Sequence, residues 1–284
     1  MEAITLSAFA KINLTLGICG KREDGYHTLS SVMQSISLAD TVTLEKIPQG
    51  IVISCDREHI PTDEKNICHK AAKIYFETSG LSGGVKITLV KRIPDGAGLG
   101  GGSADAASVL KGLAALYPAN VDLFSIAPKI GADVPFCLSG KTFLCTGIGE
   151  QLFPVRFPGK EKLFCVVAKN SEALSTPKIY SLWDQMQNEA SSIPSKERLL
   201  SVFQTGDIKK IVSVMYNHLE LPAVSMCPEI LQLKEALLKQ GAVGAQMTGS
   251  GSAVFGIFTA KEPARSCVEN LKKNHIEAHF CTLL

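Results

Sequence analysis

The stretch I-P-D-G-A-G-L-G-G-G-S-A-D-A-A-S-V-L, residues 93–110, holds five glycines within seven residues and then turns at once into a helical pattern. Ala106, Val109, Leu110, Leu113 and Tyr117 recur at helical spacing, so an amphipathic helix follows the loop and stops at Pro118. Upstream, G-V-K-I-T-L-V-K at 84–91 alternates strictly and reads as a strand leading into the glycines. Strand, glycine run and helix together suit an anion. Glycine admits positive φ and lets the backbone come close, and the N–H groups of a helix start point outward with the positive end of the helix dipole behind them. Ser103 suits the N-cap of that helix.

Three other readings compete for the same residues. Gly96-x-Gly98-x-x-Gly101 matches the dinucleotide fingerprint literally, but so glycine-rich a run meets many patterns by chance. The acidic residue that fingerprint needs falls at Asp122, in a loop after Y-P-A-N and not at a strand end. A P-loop fails: Gly140-Lys141-Thr142 is the only G-K-[ST], and the glycine required five residues earlier is Pro135. That tripeptide reads as a turn into a strand. A glycine hinge stays open, although hinges seldom run straight into so well patterned a helix.

The chain of 284 residues is 45% hydrophobic, enough for one large or two modest domains. Its 29 basic against 27 acidic residues leave a net +2 with no basic run, which argues against a nucleic-acid partner. Nine scattered cysteines, an odd number without a C-x-x-C pair, read as reduced and mostly buried thiols; ligand-spaced pairs for zinc are missing. The start, M-E-A-I-T-L-S-A-F-A-K, resembles neither a secretory signal nor a transit peptide, and no apolar run nears the ~20 residues of a membrane span. A soluble cytoplasmic protein without membrane contact is expected.

Along the chain, residues 4–18 read as one long strand broken near Ala10, and 40–47 and 50–55 as short strands. Residues 66–78 put Ile67, Ala71, Ile74 and Tyr75 on one helical face. Further strands are expected at 140–147 and 162–169, a leucine-rich helical region over 195–240, and strand, helix, strand at 253–258, 263–273 and 276–280. The proline-bearing segment 151–162 is the candidate boundary, giving two α+β domains or two halves of one, 1–156 and 157–284.

P-D-G-A-G-L-G-G-G-S-A (94–104) resembles the P-x-x-x-G-L-G-[SG]-[SG]-[SA] loop of the GHMP small-molecule kinases. A-K-I-N-L (10–14) resembles that family's first motif and M-T-G-S-G-S-A (247–253) its third, so the resemblance spans essentially the whole chain. G-K-R-E-D-G-Y-H-T-L (20–29), N-I-C-H-K-A-A (66–72) and G-A-D-V-P-F (131–136) resemble the branch of the family that acts on 4-diphosphocytidyl-2-C-methyl-D-erythritol. The resemblance implies ATP-dependent phosphorylation of the 2-hydroxyl of that alcohol, in the non-mevalonate route to isoprenoids. It also implies an α+β fold of two domains: an N-terminal β-α domain with a left-handed β-α-β unit, and a C-terminal ferredoxin-like domain. ATP and Mg²⁺ follow as cofactors, and a monomer or weak homodimer as the working form. Another GHMP kinase, for homoserine or mevalonate, is the nearest alternative; Gly25-Tyr26-His27 argues against it, because those substrates carry no base to stack. A non-catalytic nucleotide binder on the same fold would need neither Lys11 nor Asp133, and a dinucleotide oxidoreductase is more distant.

Site residues carry over by motif. Pro94, Asp95, Gly96, Ala97, Gly98, Leu99, Gly100, Gly101, Gly102, Ser103 and Ala104 would cradle ATP, with Asn66 and Lys91 lining the adenine pocket. Lys11 and Asp133 would sit beside the acceptor hydroxyl: the aspartate accepts its proton, and the ammonium keeps the carboxylate ionised and offsets charge on the phosphoryl group. Asn13 would lie near the acceptor diol. Tyr26 and His27 would hold the cytosine, with Tyr180 against the cytidine, and Thr248, Gly249, Ser250 and Gly251 would close over the site. Ser103 is the metal contact, with Asp105 an outside candidate. Taken alone these residues have plainer readings. A strand lysine is usually exposed, an aspartate after Gly-Ala usually caps a turn, Gly-Tyr-His is a turn with an aromatic plug, and Thr-Gly-Ser-Gly is a tight turn. Lys91 and Arg92 read as strand-end charges, and Asp105 as a complement to the helix dipole. His275 and His279, four apart, read as surface residues. The chain carries Val32 and Met33 where some members have an aromatic; the soft thioether of Met33 suits packing on a base.

Overall fold

A computed structural model describes residues 2–169, 173–186 and 193–284. Among them the elements run β1 (Ala3–Asn13), β2 (Thr15–Lys21), β3 (His27–Ile47), β4 (Gly50–Cys55), α1 (Ile67–Ser79), β5 (Gly84–Val90), α2 (Gly101–Leu116), α3 (Leu123–Ile130), α4 (Val134–Ser139), β6 (Thr142–Thr146) and β7 (Gln151–Pro154). A 3-10 turn at Lys160–Lys162 leads to β8 (Phe164–Lys169), α5 (Thr176–Gln185), α6 (Lys196–Gln204), α7 (Ile208–Val212), β9 (Tyr216–Asn217), α8 (Glu220–Met226), α9 (Glu229–Lys239), β10 (Gly244–Met247), β11 (Val254–Phe258), α10 (Lys261–Lys273) and β12 (Glu277–Thr282). The chain forms two compact units, each discontinuous in sequence: Met1–Ala10, Ala39–Ile93 and Gly100–Gly140 make the first, and Lys11–Leu38, Pro94–Leu99 and Lys141–Leu284 the second.

In the first unit β4 and β5 pair in parallel across α1, a β-α-β unit, and β5 pairs antiparallel with β3 from Thr41↔Val90 to Ile47↔Gly84. The alternation of β5 buries Val85, Ile87 and Leu89 against Ala71, Ala72 and Tyr75 of α1 and Ala106, Val109, Leu110 and Leu113 of α2. Ala71 and Tyr75 of α1 and the four α2 residues are those expected from periodicity, whereas Ile67 and Ile74 are only partly buried and α2 is not amphipathic. Asn66 caps α1, its Oδ1 accepting from Cys68 N at 2.8 Å. The centre of α2 is buried nearly all round, from Ala104 to Leu110, because small alanines let neighbouring elements approach on several sides.

In the second unit β8, β10, β11 and β12 form an antiparallel sheet in the order β10-β11-β8-β12. With α9 between β8 and β10 and α10 between β11 and β12, this is the ferredoxin-like β-α-β-β-α-β order. Val166, Ala168, Val254 and Phe258 pack there with Leu233, Leu237, Val268 and Leu271. The same unit holds β2 paired with β3, and β6 with β3 and β7.

Two expectations are corrected, and one strand was missed. The first strand does not break near Ala10; it runs through Lys11 and Ile12 to Asn13, all buried, and breaks at Leu14. There the Asn13 N–H is taken by Thr248 Oγ1 at 3.1 Å instead of a strand neighbour. Residues 195–240 are not one helical region: four helices are interrupted by β9, which pairs in parallel with β2 through Thr15↔Tyr216 and Leu16↔Asn217. Strand β10 was not anticipated, because G-A-Q-M lacks the β-branched residues that mark a strand. No described helix is long and apolar enough to cross a membrane.

Candidate active site

The glycine run works by alternation. Gly96, Gly98 and Gly100 hold φ values of 58°, 73° and 71°, while Ile93, Ala97 and Leu99 are 3%, 2% and 1% exposed. Apolar side chains anchor the loop, and the glycines between them turn the backbone. Helix α2 begins earlier than the sequence suggests. Its N-cap is Gly100, with no side-chain cap, so Ser103 sits inside the first turn and not at the cap. The amides that open α2 at Gly101, Gly102 and Ser103 therefore have no helical acceptor, which is the arrangement an anion needs. Ser103 is partly exposed, and a Cβ on Gly131 would lie 4.0 Å from its Oγ.

Within the second unit the first and third sequence motifs meet the front of this loop. Lys11, 4% exposed in a strand, is not the exposed charge that its position alone suggested. Its Nζ donates to Asn13 Oδ1 at 2.8 Å and its N–H to Leu99 O at 2.9 Å. Asn13 is fully buried and fixed at both ends: Nδ2 donates to Ser31 Oγ at 2.8 Å, and Oδ1 accepts from Gly249 N at 3.0 Å. Thr248 Oγ1 donates to Gly98 O at 3.2 Å. The approach of Gly98 to this turn is so close that a Cβ on Gly98 would lie 2.1 Å from Thr248 O, and one on Gly249 2.8 Å from Gly98. Ala253 N donates to Ala97 O at 3.3 Å, and Lys169 Nζ to Asp95 O at 2.6 Å. Ser250 Oγ pairs with Thr176 Oγ1 at 2.7 Å. The open choice between a functional Thr-Gly-Ser-Gly and a plain tight turn is answered in part: it is a turn, and one packed on the glycine loop.

A second cluster of the same unit gathers around His27, which is 8% exposed. Its ring stacks on Tyr180 with centroids 4.9 Å apart and meets Trp183 edge-on at 5.8 Å. Its Nε2 hydrogen-bonds Asp184 Oδ1 at 2.7 Å, and Lys21 Nζ donates to Asp184 Oδ2 at 2.5 Å. The Lys21 bond and then the histidine hold the Asp184 carboxyl below its usual range. Tyr26 is 60% exposed. Met33, 2% exposed and paired with Phe143 of β6, offers no face to a base, so the packing suggested for its thioether does not hold.

The remaining predicted residues belong to the first unit. Asp133 is the N-cap of α4, partly exposed, with no capping hydrogen bond from its side chain. Both ends of the Asn66 amide are engaged, Oδ1 as the helix cap and Nδ2 donating to Pro61 O at 2.6 Å. Lys91 is not a strand-end surface charge. Its ammonium is buried between Asp40, at a very short contact, and Asp105, at 2.5 Å. Burial works against that charge, but the two carboxylates more than offset it and hold the ammonium firmly protonated. Burial pushes the Asp105 carboxyl up, against the pull of Lys91, and Asp105 Oδ1 has no hydrogen-bond partner among the described residues. Asp105 thus answers Lys91 and not the helix dipole. Gly140-Lys141-Thr142 is the expected turn, with φ of 63° and 67° at its first two residues before β6 begins. His275 lies in a turn and His279 in β12, paired with Glu277, so their spacing does not put them on one face.

Sequence reasoning missed Asn217, Asp40, Trp183 and Asp184. Asn217 is 8% exposed and donates from Nδ2 to Met247 O and Gly249 O, both at 2.9 Å, clamping the third motif. Its only signal was a lone amide inside a leucine-rich stretch. Asp184 lies four residues after Tyr180, one helical turn on, a spacing that could have marked it.

Residues 66–141 match the GHMP kinases N terminal domain and residues 199–277 the GHMP kinases C terminal domain. A 4-diphosphocytidyl-2-C-methyl-D-erythritol kinase of Acetivibrio thermocellus is 42% identical over 280 residues, 98% of this chain and 98% of that protein. One from Clostridium botulinum (strain Alaska E43 / Type E3) is 40% identical over 275 residues, 96% of this chain and 97% of that protein. A crystal structure of 4-(cytidine 5'-diphospho)-2C-methyl-D-erythritol kinase superposes with a TM-score of 0.84 at 37% identity, covering 99% of each chain. Homoserine kinase from Cytophaga hutchinsonii shares the fold, with a TM-score of 0.73 at 18% identity over 99% of this chain and 95% of that one. With the three glycine and lysine motifs in order and similarity along its length, the chain belongs to the GHMP kinases, in the family of 4-diphosphocytidyl-2-C-methyl-D-erythritol kinases.

Proposed function

We propose that this kinase transfers the γ-phosphoryl group of ATP to the 2-hydroxyl of 4-diphosphocytidyl-2-C-methyl-D-erythritol. The observation that carries the substrate is the His27 cluster. A buried histidine is stacked on Tyr180 and oriented by Asp184, in the same unit as the Lys11–Asn13–Thr248 network. A ring wall of this kind suits a pyrimidine base and has no use in a site for homoserine or mevalonate. Tyr26 beside it is exposed enough to close on the base from outside.

Phosphoryl transfer is chiefly positioning and electrostatics, so few reacting groups are needed. Residues 94–104 and the opening amides of α2 receive the phosphates, and Asn66 and Lys91 border the adenine. A run whose Gly96, Gly98 and Gly100 turn at positive φ and carry no side chain fits a polyphosphate lying against main chain. By motif Lys11 and Asp133 are assigned to the acceptor hydroxyl: Asp133 Oδ would take the proton as the oxygen attacks, and the Lys11 ammonium would offset charge on the group in flight. Asn13, held by Ser31 and Gly249, fixes Lys11 and orients the diol. Thr248, Gly249 and Ser250 shut out water. Ser103, in the first turn of α2, would be the protein contact for Mg²⁺ brought with the nucleotide. Bound there, Mg²⁺ screens the phosphate charge.

Coupled ADP release tests this, with ATP, Mg²⁺ and the cytidine substrate in one set of wells and homoserine and mevalonate in parallel. Turnover with the cytidine substrate alone is expected. Turnover with another alcohol and none with this one would leave the loop assignment standing and overturn the reading of His27 and Tyr180.

A further inference from the structure

The β3–β5 ladder ends at Thr41↔Val90. One step further the two chains part, because Lys91, Arg92 and Ile93 turn toward the glycine loop. Main-chain donors at such an exit lose their strand partner and still need an acceptor when buried. Asp40 supplies it. Its carboxylate is 0% exposed, and Oδ1 accepts from Arg92 N at 2.5 Å and from Ile93 N at 2.8 Å. Its Oδ2 accepts from the Lys91 ammonium, which reaches on to Asp105 of α2 at 2.5 Å. Oδ2 also lies 3.6 Å from where a Cβ on Gly101 would stand, directly under the start of α2. One buried carboxylate therefore holds the chain entering the loop, at 92 and 93, and lies against the chain leaving it, at 101. Lys91 ties it to the second turn of the helix.

We propose that Asp40 is a positioning residue for ATP: it sets the separation of the two shoulders of the glycine loop, and so the width of the phosphate cradle. A carboxylate is suited to this because charge-assisted bonds to main-chain N–H groups are short and directional, and one residue can take several at once. The proposal rests on the reading of that loop as the ATP site. Of the residues assigned to ATP, Asp40 bonds Lys91 and lies against Gly101.

Steady-state ADP release is measured for Asp40→Asn with ATP and the acceptor alcohol varied in turn. Leu44→Ala, in the apolar core of the same strand, serves as a variant of lowered stability. Asparagine keeps the shape and removes the charge, so KM for ATP should rise about tenfold or more, the equivalent of one charged hydrogen bond. KM for the alcohol should stay within about twofold of wild type, and Leu44→Ala should move neither, since a loosened core is no loss of a positioned group. An ATP KM for Asp40→Asn close to wild type, or an equal rise in Leu44→Ala, overturns the proposal. If Asp40→Asn does not fold, hydrogen exchange on the wild type decides. The amides of Arg92 and Ile93 should be protected like the β5 ladder, and exchange as fast as an open loop refutes the pin. A Gly98→Ala variant with unharmed ATP turnover would instead indict the reading of the loop, not the role of Asp40.

Discussion

Gly98→Ala is the sharpest probe of how the loop and the third motif are joined. Two effects add at this position. Gly98 sits at φ 73°, where an L side chain costs about 1–2 kcal/mol. The new methyl would also stand 2.1 Å from Thr248 O and 3.0 Å from its carbonyl carbon. Both neighbours are backbone, so no rotamer relieves the clash, and the loop and the 248–249 turn must part by about 1 Å, an overpacking cost of about 1–3 kcal/mol. The expected loss of stability is therefore about 2–5 kcal/mol. The same displacement carries Thr248 off Asn13 and so disturbs Lys11; a shift of about 1 Å at a reacting group lowers kcat/KM about 10²-fold. Gly159→Ala separates the two effects. Gly159 has φ 79° and nothing within 4 Å of its Cβ, so alanine there should cost about 1–2 kcal/mol and leave kinetics alone. Urea unfolding and coupled ADP release on both variants provide the comparison. Gly98→Ala with wild-type kcat/KM, and no greater loss of stability than Gly159→Ala, would falsify the argument from contact.

Asp133→Asn should fold and bind ATP and the alcohol by calorimetry, while kcat falls roughly 10²–10⁴-fold; wild-type turnover would remove Asp133 from the proton-accepting role. Asp184→Asn removes the charge and leaves one acceptor oxygen for two donors, His27 Nε2 and Lys21 Nζ, so KM for the cytidine substrate should rise about three- to tenfold with kcat little changed, the modest size reflecting a partly exposed carboxylate. An unchanged KM would mean that Asp184 merely neutralises Lys21. Burial pushes the His218 imidazole below its ordinary 6.5, so the folded state favours the neutral ring. The corresponding stability is complete above about 6.5 and is lost as pH falls through the lower folded value. The urea midpoint of the wild type should drop more between pH 8 and pH 5 than that of His218→Gln, and parallel profiles would show that His218 does not titrate on unfolding.

Much of the site was readable because its signals are local. The strand at 84–91, the glycine run and the face of Ala106, Val109, Leu110 and Leu113 are each set by neighbours within a few residues, and each appears in β5, the loop and α2. The ferredoxin-like order also appears as expected from the resemblance. What failed were boundaries and environments. Ser103 looked like a cap because serine caps well, yet the helix had already begun at Gly101, where the main chain alone closes the end. The strand break moved from Ala10 to Leu14 because a threonine more than two hundred residues away captures the Asn13 amide. Asp40 was one acidic residue before a β-branched run, with nothing nearby to mark it as buried.

The sequence by itself determined which stretch of main chain turns on glycines into a helix, where β4, β5, α1, α2, β8 and α10 lie, and which motifs belong together. Glycine's φ freedom and side-chain periodicity are properties of the chain before it folds. The tertiary structure alone decided what each charge and amide does. Lys91 became a buried tie between two carboxylates, and Lys11 a buried group locked to Asn13. Gly98 has no room for a side chain because Thr248, 150 residues away in sequence, lies against it. The behaviour of an ionised or closely packed group depends on what excludes water from it and what occupies the next few ångströms, and distant segments supply both.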